Sequence, residues 1–191
     1  MRYAIVLSFL ALGTGSAFAK KPNKVEEKPV AVAVEETATA EIMNVKGEKV
    51  GDALLEETPH GVLITAEFTN LPPGAHALHI HEFGKCDPTP GAKGPFTSAG
   101  GHLNPGGKKH GFKSPEGKHE GDLPNVIIAA DGKERVQILA GAATLKKGPK
   151  NSLLDADGTS LVMHAKEDDH VTDPAGAAGD RIACGVIVLK K

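Results

Sequence analysis

The segment Ala77-Leu78-His79-Ile80-His81 constrains this chain more than any other. Its apolar alternation reads as a β-strand, and side chains two apart on a strand point to the same face. Both imidazoles can therefore reach one ion. His102, His110, His119 and Asp122 follow in a long Gly/Pro/Lys-rich stretch with almost no apolar content, and His164 comes later. Six of the nine histidines fall in this set. Histidine is the commonest protein ligand for zinc and copper through a neutral ring nitrogen. A loop with so little to pack needs something else to order it, and bound metal does that. The pattern predicts a two-metal site.

The scaffold around it reads as all-β. The core must come from Val, Ile, Leu and Ala, because aromatics are only 4% and Trp is absent. With 23 Gly and 13 Pro, a loop-rich β domain is favoured over a helix bundle. Strand patterns run over 39–45, 51–55, 61–69, 75–83, 126–130, 135–139, 160–164 and 182–189. Leu71-Pro72-Pro73-Gly74 breaks the chain, and Asp131-Gly132 marks a hairpin. These segments predict an eight-stranded Greek-key β-barrel or sandwich, immunoglobulin-like, with two long functional loops over 84–123 and 165–179. Loops of that length inside a compact domain are usually functional.

The N-terminus reads as a targeting segment. Met1-Arg2-Tyr3 is a short basic start, an apolar run follows, and Ala17-Phe18-Ala19 is a small-x-small cleavage site. Residues 1–19 are expected to be a signal peptide, too short in its apolar part to span a bilayer. Residues 20–38 read as a flexible linker and 39–191 as the folded domain. Export implies an oxidising compartment, the periplasm first and the medium second. One disulfide between the only two cysteines, Cys86 and Cys184, is then the expected state, with two buried free thiols as the alternative. A formal net charge of −2 gives no basic field for nucleic acid, and no membrane association is expected after cleavage.

Several motifs carry a family resemblance. They are Gly74–Gly84, Ala99–Pro105, Lys109-His110-Gly111, His119–Asn125, Leu161–His164 and Gly179–Ile187. In this order they resemble a Cu,Zn superoxide dismutase of the exported bacterial type, and the five-residue step from His81 to Cys86 resembles the bacterial branch. The resemblance implies one copper and one zinc ion per chain. Copper would be held by His79, His81, His102 and His164, and zinc by His102, His110, His119 and Asp122. His102 would bridge the two. The implied reaction is dismutation of superoxide to dioxygen and hydrogen peroxide by a redox-cycling copper beside a structural zinc. His102 and Arg181 would be catalytic, the arginine attracting and orienting the anion. Asp168 resembles the carboxylate that links a copper histidine to a zinc histidine, with Asp169 as the alternative match. His76 resembles a histidine that makes structural hydrogen bonds. His60 and His170 are read as ordinary satisfied or surface histidines rather than ligands.

Two departures from the family pattern stand out. Ala77 replaces a usual glycine beside the copper strand. On the second loop Glu167, Asp168, Asp169 and Asp173 outnumber Lys166, so Lys85, Lys93, Lys108 and Lys109 are expected to supply the positive field from the first loop. A copper-carrying protein on the same fold and a zinc-stabilised structural domain are the rival readings. Monomer and homodimer both stay open.

Overall fold

The computed structural model describes residues 36–89, 91 and 94–190. The expected signal peptide and all of the linker up to residue 35 lie outside the described residues. No helix among the described residues is long and apolar enough to cross a membrane.

Ten strands form the scaffold: β1 (Thr37–Asn44), β2 (Lys49–Thr58), β3 (Gly61–Phe68), β4 (Gly74–His76), β5 (Leu78–His81), β6 (Val126–Ile128), β7 (Glu134–Ala140), β8 (Ser160–His164), β9 (Arg181–Val186) and β10 (Val188–Leu189). A single 3-10 turn, Thr97–Ala99, is the helical element among the described residues. The main sheet runs β5-β8-β9-β1-β2-β3-β7, with β10 also on β1, and β4 pairs with β6. Every strand pairing is antiparallel. The result is a curled antiparallel sheet wrapped round its own core.

Alternation builds that core. Ala38, Ala40 and Ile42 of β1, Ala53 and Leu55 of β2, and Val62, Ile64, Ala66 and Phe68 of β3 are buried. Their neighbours Glu41, Asp52 and Glu67 face solvent. A slip of one residue would exchange these two sets, so the register is firmly specified.

The structure corrects the expected strands in three places. The run 75–83 breaks at Ala77 into β4 and β5, because the Ala77 N–H donates to the Lys166 carbonyl and its own carbonyl accepts from His164 N. Ala77 is fully buried there, so its methyl group is accommodated. The run 182–189 breaks at Ile187, whose N–H goes to Thr159. These two interruptions turn eight expected strands into ten. The folded part also starts two residues before Thr39, with Thr37 and Ala38 paired to Glu56 and Leu55.

A third long connection, 141–159, had no sequence signal. Glu57, buried on β2, anchors it by accepting from Thr144 Oγ1 at 3.0 Å and Leu145 N at 2.7 Å. Leu145 and Leu153 then fill the core from this loop.

Candidate metal centre

Strand β5 organises the site. One edge pairs with β8, setting His79 opposite Val162 and His81 opposite Ser160. The other edge captures the long loop: Ile80 N donates to Gly121, Leu103 N to Ile80, and Gly121 N to Leu103. Isolated bridges join His79 to Asp122 and His81 to His102. Leu103 and Leu123 are buried in the core. The loop is thus ordered by backbone pairing and two apolar anchors as well as by its polar cluster, which sequence composition alone hides.

Around Asp122 four candidate ligand atoms come together, and four of their separations are near those of a tetrahedral set. Asp122 Oδ1 lies 2.9 Å from His102 Nδ1, 3.0 Å from His110 Nδ1 and 3.2 Å from His119 Nδ1. His119 Nδ1 and His102 Nδ1 are 3.3 Å apart. A tetrahedral zinc at about 2.0–2.1 Å from its ligands separates them by about 3.3 Å. The second oxygen, Oδ2, accepts from Gly111 N and His119 N, both at 2.9 Å.

On the other side of His102 a different pattern appears. His79 Nδ1, His81 Nε2, His102 Nε2 and His164 Nε2 are all buried without a hydrogen-bond partner. The ligand atoms of these four residues lie within 4.8 Å of one another. Four orphaned imidazole nitrogens at one spot are costly unless something fills the space between them, and an all-imidazole set suits copper. His102 turns Nδ1 to the tetrahedron and Nε2 to the imidazole set, so one ring serves both.

The remaining nitrogen of each ligand-type histidine is fixed. His81 Nδ1 contacts the Gly100 carbonyl at 3.1 Å, and His164 Nδ1 contacts Gly179 at the same distance. His119 Nε2 reaches the Lys108 carbonyl at 3.1 Å. Asp168 joins the two halves, with Oδ2 at 2.8 Å from His79 Nε2 and Oδ1 at 2.9 Å from His110 Nε2. Such partners set tautomer and ring orientation. Asp168, not Asp169, takes this place: Asp169 is exposed and accepts from Val171 and Thr172.

Electrostatics favour neutral rings at His79, His81, His102 and His164, whereas at His119 burial is outweighed by the hydrogen bond and charge of Asp122, which raise the pKa of that ring. Burial, reinforced by the neighbouring imidazoles, pushes His102 down to about 4 and His164 down to about 3, and moves His81 in the same direction. Burial lifts Asp122, but the hydrogen bonds from His102, His119 and Gly111 together hold it far below the usual carboxylate range. Asp168 behaves likewise through His79, His110 and the His170 N–H. Neutral imidazoles and ionised carboxylates are the ligating forms.

Arg181 opens β9 at the rim. Its guanidinium donates to the Phe96 carbonyl at 2.7 Å and to Gly100 at 2.6 Å. The cleft it borders is also lined by His81, Glu82, His102, Lys108 and His164. The Cys86–Cys184 disulfide ties the start of the first long loop to β9, and Phe96 and Ala99 pack with Cys184, Val162 and Cys86, with Phe96 N donating to the Asp87 carbonyl beside the cross-link. His76 touches the His164 and Pro72 carbonyls, each at 2.8 Å, and stands apart from both ligand clusters.

Of the four lysines expected to supply a positive field, Lys108 lines the cleft. Lys109 is paired with Asp173 at 3.0 Å, Lys85 is exposed, and Lys93 lies outside the described residues. Sequence reading missed Asn125 and His170, which both contact Asp168. Nothing local distinguishes His170 from a surface histidine.

A curled antiparallel β-sheet carrying two buried ligand clusters that share one imidazole defines a dinuclear β metalloprotein. Residues 49–187 match the family model for copper/zinc superoxide dismutase, and the chain belongs to that family and to its oxidoreductases. It is 54% identical over 157 residues to superoxide dismutase [Cu-Zn] 1 of Aquifex aeolicus, covering 82% of this chain and 90% of that protein. A double mutant of a superoxide-dismutase-like protein from Bacillus subtilis superposes with a TM-score of 0.72 at 42% identity, over 78% of this chain and 95% of that one. The Cu/Zn superoxide dismutase from Brucella abortus gives 0.66 at 31% identity, over 80% and 100%.

Proposed function

We propose that this chain dismutates superoxide outside the cytoplasm. His79, His81, His102 and His164 would hold copper, and His102, His110, His119 and Asp122 would hold zinc. The carrying observation is the shared ring. His102 faces a closed tetrahedral set through Nδ1 and an orphaned imidazole set through Nε2. When bound, copper supplies the one-electron chemistry that both takes an electron from one superoxide and returns it to a second.

The protein's own groups do the rest. Arg181, steadied by two carbonyls and half-buried at the rim, attracts the anion and orients it toward the imidazole set. His102 Nε2 can hold a proton at the reacting oxygen while Nδ1 stays fixed in the tetrahedral set. Asp168 keeps His79 and His110 turned inward. Lys108 adds positive potential in the cleft. The disulfide and the signal-like residues 1–19 support export, to the periplasm in this reading.

A copper-delivering protein would need the imidazole set but no anion-binding arginine beside it. A zinc-stabilised structural domain would need neither. The test is superoxide consumption by the copper- and zinc-loaded protein, with Arg181→Ala and His164→Ala beside it. Activity in the wild type, roughly tenfold or greater loss in Arg181→Ala with copper retained, and loss of copper in His164→Ala are expected. A loaded wild type without activity overturns the proposal. Light scattering on the mature chain decides between monomer and homodimer.

A further inference from the structure

We propose that His170 is a positioning residue whose ring and main-chain N–H complete a four-donor cage around Asp168. This holds the His79 and His110 rings in place for their ions, and it rests on the metal assignments above.

Each Asp168 oxygen has two nitrogen neighbours. Oδ1 accepts from His110 Nε2 at 2.9 Å and from the His170 main-chain N–H at 2.6 Å. Oδ2 accepts from His79 Nε2 at 2.8 Å and lies 3.5 Å from His170 Nδ1. The Nδ1 atom is buried and has no hydrogen-bond partner, so Asp168 Oδ2 is the acceptor it faces. At 3.5 Å the contact is long for a hydrogen bond, and Oδ2 is the carboxylate oxygen set against this orphaned atom.

Asn125 fixes which ring nitrogen carries the proton. Its Oδ1 accepts from Asp168 N at 2.8 Å, which places Nδ2 on the opposite side. There Nδ2 donates to the Asp168 carbonyl at 2.9 Å and to His170 Nε2 at 3.3 Å. An Nε2 that accepts leaves the proton of the neutral ring on Nδ1, where it points at the carboxylate.

The backbone is committed to this arrangement. His170 adopts φ +62°, an uncommon conformation for a non-glycine residue. Such outliers cluster where surrounding structure over-determines them. Lys113 N donates to the His170 carbonyl at 3.1 Å, and the Phe112 ring meets the imidazole edge-on at 5.1 Å between centroids. Gly176 seals another side, because a Cβ there would overlap Asp168 Oδ1. His170 therefore connects the two long loops through the carboxylate that joins His79 to His110. Groups that directly hold a ligand histidine typically change metal affinity by about 10- to 100-fold, and His170, one contact behind Asp168, is expected at the lower end of that range.

The test uses the full mature chain, freed of metal and titrated with cobalt(II), whose visible absorption reports tetrahedral coordination. His170→Phe keeps a ring against Phe112 without the Nδ1 proton. His170→Gly keeps the main-chain N–H and tolerates the positive φ without the ring. Both are expected to bind cobalt about tenfold more weakly than wild type and to release zinc faster to a chelator. Affinities within twofold of wild type overturn the proposal while leaving the metal assignments intact. A wild type that gives no tetrahedral cobalt band overturns both. Nitrogen-15 shifts of the unmodified metal-free protein give a check that needs no variant. An Nδ1-protonated His170 is expected, and an Nε2-protonated ring sinks the cage.

Discussion

Removing the disulfide should destabilise the fold and loosen the proposed anion site at Arg181 together. Cys86 and Cys184 are 98 residues apart in sequence, and the chain-entropy relation for a loop of that size gives about 4.7 kcal/mol. Cys184 is fully buried against Phe96, Ala99 and Val162, so trimming it also costs some packing. For the Cys86→Ala/Cys184→Ala double variant we expect a loss of about 3–5 kcal/mol in urea unfolding of the metal-free protein. For a domain of this size that corresponds to a fall in Tm of about 10–20 °C. Phe96, packed on this cross-link, supplies with Gly100 the carbonyls that hold Arg181. The metal-loaded variant should therefore bind a small probe anion such as azide several-fold more weakly, with copper content unchanged. A loss below about 1 kcal/mol would show that the cross-link constrains little in the unfolded chain. Unchanged azide affinity would show that Arg181 is held without it.

Two further outcomes follow from the buried polar groups. Asp168→Asn places an amide donor against one of two histidine N–H groups, so zinc and copper affinities should each fall about 10- to 100-fold in chelator competition; an effect on one ion alone would contradict the bridging role. In the metal-free protein, burial holds His164 at about 3 and His102 at about 4, against about 6.5 in the unfolded chain. The folded rings stay neutral while the unfolded ones take up protons. The contribution of these two rings is therefore complete above about pH 6.5 and should fall by several kcal/mol as the pH drops toward 4, partly offset by His119, whose ring is raised by Asp122; urea midpoints at pH 7.5, 6 and 5 read the net fall, and a flat profile would refute it.

The two clusters of candidate ligand residues were legible in the sequence because metal chemistry needs rare side chains at fixed spacings. His79 and His81 share a strand face, and Arg181 sits three residues before the half-cystine of β9. Strand interruptions were less visible. Ala77 and Ile187 look like ordinary strand residues, yet each gives its N–H to a distant loop. The anchoring of 141–159 by Glu57 was hidden for a similar reason, since an outward charge and a buried cap have the same letter. His170 was passed over because its meaning comes from Asn125 and Asp168, 45 and 2 residues away in sequence. The Lys109–Asp173 pair removed one lysine from the expected field, an outcome that depends on how two loops meet.

Three of the inward-facing imidazoles are steered by main-chain oxygens, those of Gly100, Lys108 and Gly179. A peptide oxygen is supplied by every amino acid, so aim at these rings survives drift in the side chain that happens to sit there. Lys108 can thus be exchanged to retune the charge of the entrance without misdirecting His119. The lineage is free to adjust how fast substrate arrives while the ions stay where they are.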